Sequence, residues 1–201
     1  MANPVTFYPG IGADEEIARL ERLLGKITAY WAQVEDGLFN LFVVALAGTW
    51  LIGDVRPYRA VFFTFSSYEG KMRMVNNAMK SRYGADEKIM AEWAELQKSL
   101  NGLSALRNEI AHLTPMAKGT QDREAKAVVR LVPPFWKGAF QNADFEKGGY
   151  SWAELTRALA PFWSFDPSLN IWHTTHTMLG YRLQEFTKRL EPPHPPAPAA
   201  P

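Results

Sequence analysis

Residues 14–48 read DEEIARLERLLGKITAYWAQVEDGLFNLFVVALAG, and within them Ile17, Leu20, Leu24, Ile27, Trp31, Val34, Leu38, Leu41 and Ala45 recur at alternating spacings of three and four. That period is the seam of an α-helix. Asp14 is placed to cap its start, Glu15 and Glu16 suit the positive end of the helix dipole, and Gly48 suits its close. Beyond Leu38 the apolar face widens to take in Phe39, Phe42, Val43 and Leu46, so this end needs cover on more than one side, which a partner subunit could supply. The run from Gly37 to Gly53 carries no charge, yet it continues a seam that begins in polar sequence, so a buried or dimer-facing helix is expected there rather than a membrane span.

Outward from this helix the same period repeats. Pro57 suits the first turn of a second helical segment, and Ser66 with Glu69 has the spacing of a capping box that restarts the helix. Tyr68, Met72, Val75 and Met79 follow as a stripe, closed by Gly84. Asp86 caps a third long helix with the stripe Ile89, Trp93, Leu96, Leu100, Leu103, Arg107 and Ile110, which Thr114 and Pro115 stop. From Met116 the helical period disappears. Residues 116–150 read as an irregular insertion or flap with one short strand over Ala127–Val132 and a turn at Gly148–Gly149. Ser151 and Glu154 open a short helix that Pro161 ends. A last helix carries Leu169, Trp172, His176, Leu179, Leu183, Phe186 and Leu190. The expected class is all-α: a helical bundle over residues 14–190 with a long first helix, a small irregular or β insertion before the C-terminal helices, a flexible arm over 1–13 and a disordered Pro-rich tail over 191–201.

Composition narrows function. The chain has 201 residues, 47% of them hydrophobic, enough for one folded core. Its 22 basic and 21 acidic residues give no net field toward nucleic acid or membrane, so any such binding is local. Without cysteine there are no disulfides, thiolate metal sites or Cys nucleophile. Met1–Gly12 does not read as a secretory signal, and a cytoplasmic location is expected. His173 and His176 read as core histidines rather than metal ligands, and the aromatic residues between Phe135 and Phe165 read as core. No metal or cofactor is expected.

One residue breaks the third helix's stripe. Arg107 stands where the pattern asks for Leu, and a guanidinium turned inward is costly unless acceptors meet it. Glu35, flanking the first helix's seam between Trp31 and Leu38, is the expected partner and structural support. Beside Arg107 runs a polar row at helical spacing, Gln97, Asn101, Ser104, Asn108 and His112, which reads as a lined groove. His112 ends the row at the helix C-terminus, where the dipole favours a cation, and such a histidine can donate a proton.

The segment Arg107-Asn108-Glu109-Ile110-Ala111-His112 resembles the Arg-x4-6-His motif of HEPN-superfamily ribonucleases, including the polar residue that often follows the Arg. The first helix, with Trp31, Val34 and Glu35 ahead of a Leu/Phe-rich run, is also similar to that family's opening helix, so the resemblance covers residues 14–113. A bare Arg-x4-His arises by chance about once in four chains of this composition, and Arg189 with His194 is such a copy; requiring Asn after Arg lowers this to about one in a hundred. Where family nucleases often carry Tyr two residues after the His, this chain has Thr114. The resemblance implies a dimerising helical bundle and metal-independent RNA cleavage, with Arg107 clamping phosphate, Asn108 orienting and His112 acting as acid and base. One Arg and one His are too few for a base, an acid and the cations a pentacovalent phosphate needs, so a homodimer with a composite site is expected. Arg73, Lys80 and Arg82, in a basic stretch from Arg56 to Arg82 opposed only by Glu69, are the expected RNA contacts. A toxin or defence effector with an antitoxin or regulatory protein fits this activity. The alternative is a non-catalytic HEPN-like dimer that binds a protein or nucleotide partner.

Overall fold

The structure, a computed structural model, describes residues 8–50, 53–133, 145, 148–160 and 178–191. Among these, six helices and a two-stranded sheet follow in the order α1 (Ala13–Ala47), α2 (Arg56–Phe62), α3 (Tyr68–Tyr83), α4 (Glu87–Ile110), β1 (Thr114–Ala117), β2 (Val129–Val132), α5 (Trp152–Leu159) and α6 (Met178–Leu190). The fold is all-α in class. His173, His176, Pro161, most of the 135–165 aromatic residues and the Pro-rich tail lie outside the described residues. No helix among the described residues is long and apolar enough to cross a membrane.

The helix boundaries follow local chemistry. α1 starts one residue ahead of Asp14, with the Gly12 carbonyl accepting from Glu16 N, so Asp14 stands in the acidic first turn rather than at the cap. Gly48 closes it at φ +83°, a left-handed conformation that favours glycine. α3 is capped by Ser67, whose hydroxyl accepts from Gly70 N, rather than by Ser66, and the expected box with Glu69 therefore falls one residue out of register. Asp86 caps α4 through Ile89 N. Ser151 and Glu154 form a complete capping box on α5, each accepting from the other's backbone N–H.

The chain divides into two compact units, and α1 and α4 contribute residues to both. The second unit holds Tyr30–Asn101 and the segment from His173 onward. Here the apolar end of α1 is covered by the chain itself: Phe39 meets Phe62, Phe63 and Trp50 at ring separations of 5.5, 5.7 and 5.9 Å, and Phe42 meets Phe62. Leu38, Leu41, Phe42, Val43 and Val44 are buried, leaving Leu46 half exposed. Each such buried side chain contributes roughly 1.5–3 kcal/mol. α6 crosses α1 closely enough that a Cβ on Gly37 would lie 2.8 Å from Leu183 Cδ2. Trp93 of α4 stacks on Phe186 of α6 and donates from its indole to Asn76 of α3.

The first unit holds the chain up to Ala29 and Gly102–Trp172. β1 and β2 pair antiparallel, with Pro115 opposite Leu131. Thr114 and Pro115, expected only to stop the helix, open β1. Pro115 is tolerated in a strand because Leu131 directs its own N–H and C=O to Tyr150, at 2.7 and 2.9 Å, so no donor is missed at the proline. The arm expected to be flexible is bonded from residue 8: Tyr8 exchanges two backbone hydrogen bonds with Thr120, and Ile11 bonds Ala125 and Ala127. Arg130, 9% exposed, is held by the carbonyls of Gly148 and Gly149 and by Glu154 at 2.7 Å. Residues 114–133 and 148–160 are thus cross-tied rather than a free flap.

Candidate active site

Arg107, Asn108 and His112 lie together at the C-terminal end of α4, in the first unit. Arg107 is half-buried between Leu103 and Ile110, both in the core. Its guanidinium donates from Nη1 to Asn108 Oδ1 at 3.0 Å. An Asn oxygen committed in this way leaves the amide N–H groups as donors. Ala111 N still bonds the Arg107 carbonyl at 2.9 Å, whereas Leu113 N bonds Ile110 at 3.0 Å. The helix therefore tightens just as it turns into β1, and His112 rides on that turn, exposed. The arrangement offers a cation, an amide donor and an imidazole at one helix end.

Two residues that sequence reading did not assign stand beside them. Glu109, inside the motif, accepts from the Tyr150 phenol at 2.8 Å. Desolvation first, then the hydrogen bond to Glu109 and its negative charge, push the Tyr150 pKa up to about 12. Tyr150 is fixed by its bridge to Leu131 and by Gly149, whose φ of +68° and close approach to the Leu131 carbonyl leave no room for a Cβ. Glu109 was visible as part of the motif; no local signal marks Tyr150, 41 residues away.

The remaining expected residues belong to the second unit. Glu35, the partner expected for Arg107, accepts from Nζ of Lys71, buried at 5% exposure, at 2.7 Å and from Trp31 Nε1 at 3.1 Å. The basic stretch is weaker than its count. Arg56 is chelated by Asp54, Arg59 lies over the Phe39 and Phe63 rings, and Lys71 is buried. Arg82 is exposed but its guanidinium lies against Gly48 at the C-terminus of α1, where a cation offsets the helix dipole. Arg73 and Lys80 are exposed on α3.

The polar row of α4 is not one continuous groove. Ser104 is buried, Asn108 and His112 are exposed, and Gln97 and Asn101 line a cavity within the second unit, where Asn101 Oδ1 accepts from the Tyr68 phenol at 3.0 Å. Among the described residues no group of three His, Asp or Glu is placed to hold a metal ion. No protein-family model, curated protein or solved structure matches the chain.

Proposed function

We propose that this chain is a HEPN-like, metal-independent endoribonuclease that acts as a cytoplasmic homodimer, in the manner of a toxin or defence effector restrained by an antitoxin or regulatory protein. The observation that carries the reading is the grouping of Arg107, Asn108 and His112 at the end of α4, with Arg107 tied to Asn108 and His112 open to a ligand. In the proposed reaction one His112 removes the proton from a ribose 2′-hydroxyl, which attacks the adjacent phosphorus. The bond from phosphorus to the 5′-oxygen breaks, and the symmetry-related His112 protonates that oxygen. Products are a 2′,3′-cyclic phosphate and a 5′-hydroxyl. The two Arg107 guanidinium groups counter the charge that builds on the phosphoryl oxygens, and Asn108 orients them.

A second reading has its own support. Arg107 bonds its neighbour Asn108, as an arginine with a purely structural task would, and this favours a non-catalytic HEPN-like dimer that binds a protein or nucleotide partner. Both readings require two subunits. Sedimentation equilibrium tests that requirement: a mass twice the 22.7 kDa of the chain is expected at micromolar concentration. A strict monomer that cleaves RNA would remove the composite site, since one chain supplies a single Arg107 and a single His112.

A further inference from the structure

The ring of Phe65, 45% exposed, is seated on the backbone of α3 within the second unit: a Cβ on Gly70 would lie 2.8 Å from Phe65 Cδ1 and 3.1 Å from Cγ. Gly70, Arg73, Asn77 and Lys80 recur at spacings of three and four, which sets them in one row along the helix. Arg73, Asn77 and Lys80 are exposed in that row, whereas Gly70, under the ring, is buried. Phe65 thus stands at the head of a row that runs on to Lys80 over about 15 Å, at roughly 1.5 Å per residue. Glycine weakens a helix, and here it gives the ring its seat. Two residues ahead of Phe65, the exposed Arg59 guanidinium lies 5.3 Å from the centroid of the Phe63 ring. Among the described residues no carboxylate pairs with Arg59, Arg73 or Lys80, and Glu69, one turn ahead of Arg73, is no exception.

An exposed ring followed by unpaired cations fits a polymer that carries planar apolar faces and fixed negative charges together, and single-stranded nucleic acid is such a polymer. A duplex keeps its base faces stacked on one another and offers the ring none. A second copy of this chain would meet the same patch across a two-fold axis and set one cationic row against another. We propose that Phe65 stacks an unpaired base of RNA while Arg73 and Lys80, with Arg59 beside Phe63, hold the phosphates that flank it. The inference rests on the reading that this chain acts on RNA, and it names single strands as the substrate class. Its residues include neither Arg107 nor His112, so binding and cleavage can be measured apart.

Fluorescence anisotropy of a labelled RNA of about ten nucleotides tests it, titrated in EDTA with the full His112→Ala chain so that the strand stays intact. The single strand should bind about tenfold or more tightly than a duplex of the same length and than an equally long strand without bases, the scale of one stacked base. Phe65→Ala and Gly70→Ala, which remove or displace the ring and keep every cation, should each erase that preference and leave the salt dependence unchanged. Arg73→Ala and Lys80→Ala should do the reverse, each lowering the slope of log binding constant against log salt by about 0.7. Circular dichroism of each variant separates loss of fold from loss of the site. Equal binding of the three nucleic acids, no binding at micromolar protein, or an unchanged preference in a folded Phe65→Ala chain overturns the proposal. So does a Phe65→Ala chain that sediments at 22.7 kDa where the unsubstituted chain has twice that mass, since the ring would then belong to a subunit contact. Base-dependent binding beside a wild type that cleaves no RNA sinks the cleavage reading alone, and cleavage without that preference sinks this inference alone.

Discussion

The phenol of Tyr150 donates a 2.8 Å hydrogen bond to Glu109 Oε1, tying the turn ahead of α5 to the last turn of α4 between Arg107 and His112. Burial first, and then the Glu109 carboxylate, favour the protonated phenol, and the bond persists only while that proton stays. The unfolded phenol loses it near the ordinary value of 10.0 and the folded one near 12, so between those values the folded state holds more protons and stability falls as pH rises. Below pH 10 the contribution is complete. Ultraviolet titration should show one tyrosine ionising near pH 12, moved downward by Glu109→Gln; a titration unchanged by that substitution would contradict the pairing.

Glu35 and Lys71 behave as a buried pair. With side-chain exposures of 24% and 6%, removing the acid strands a cation in the core, and Glu35→Ala should cost about 2–4 kcal/mol in urea unfolding. Lys71→Met should cost less, because the acid left behind reaches water. Equal losses for the two variants would mean that packing, not charge, dominates.

The cap of α5 carries a pH signature of opposite sign. Hydrogen bonds from Ser151, and then the Arg130 guanidinium, hold the Glu154 carboxyl below its usual value of 4.5. A depressed folded pKa gives stability that is present above the unfolded value and lost as pH falls through the folded one. Thermal melts of Glu154→Gln should therefore converge with wild type in acid, separate as pH rises toward 4.5 and stay fully apart above about that value. Ser151→Ala should cost about 1 kcal/mol at neutral pH.

The three basic residues expected to meet RNA separate by what else they do. Arg73→Ala and Lys80→Ala should each lower the slope of log binding constant against log salt by roughly 0.7–0.9 and leave the melting temperature unchanged. Arg82→Ala should also lower the melting temperature, because its guanidinium lies at the end of α1 beside Gly48. A melting temperature unmoved by Arg82→Ala would reduce that contact to a surface coincidence.

Local periodicity made most of the fold legible. Leu20, Ile27, Trp31, Val34, Leu38 and Leu41 of the first seam are all buried, as are Trp93, Leu96, Leu100, Leu103 and Ile110 of the third. The seam departs from the core at Leu24, where Leu23 is buried instead and Leu24 half-buried, because an α-helix drifts against a strict seven-residue repeat. Ser151 and Glu154 were legible because a capping box is contained in four residues. What escaped depends on partners distant in sequence. Thr114–Ala117 has no strand pattern of its own and pairs because Leu131 and Tyr150 complete the ladder. Lys71 read as one cation of a basic stretch, yet it is buried against Glu35, 36 residues away. For the candidate site, sequence marked Arg107, Asn108 and His112 as neighbours on one helix end, whereas the contact of Tyr150 with Glu109 depends on tertiary structure.

The proposed cleavage needs Arg107 and His112 and no metal. The direct measurement is the end-group analysis of a labelled single-stranded RNA incubated in EDTA with wild type, Arg107→Ala and His112→Ala, each purified identically and checked for fold. Wild type should leave 2′,3′-cyclic phosphate ends, and either variant should lose at least about a hundredfold in rate, the scale of a missing acid–base group. Equal cleavage by all three proteins, or no cleavage by a dimeric wild type on any RNA tested, would contradict it.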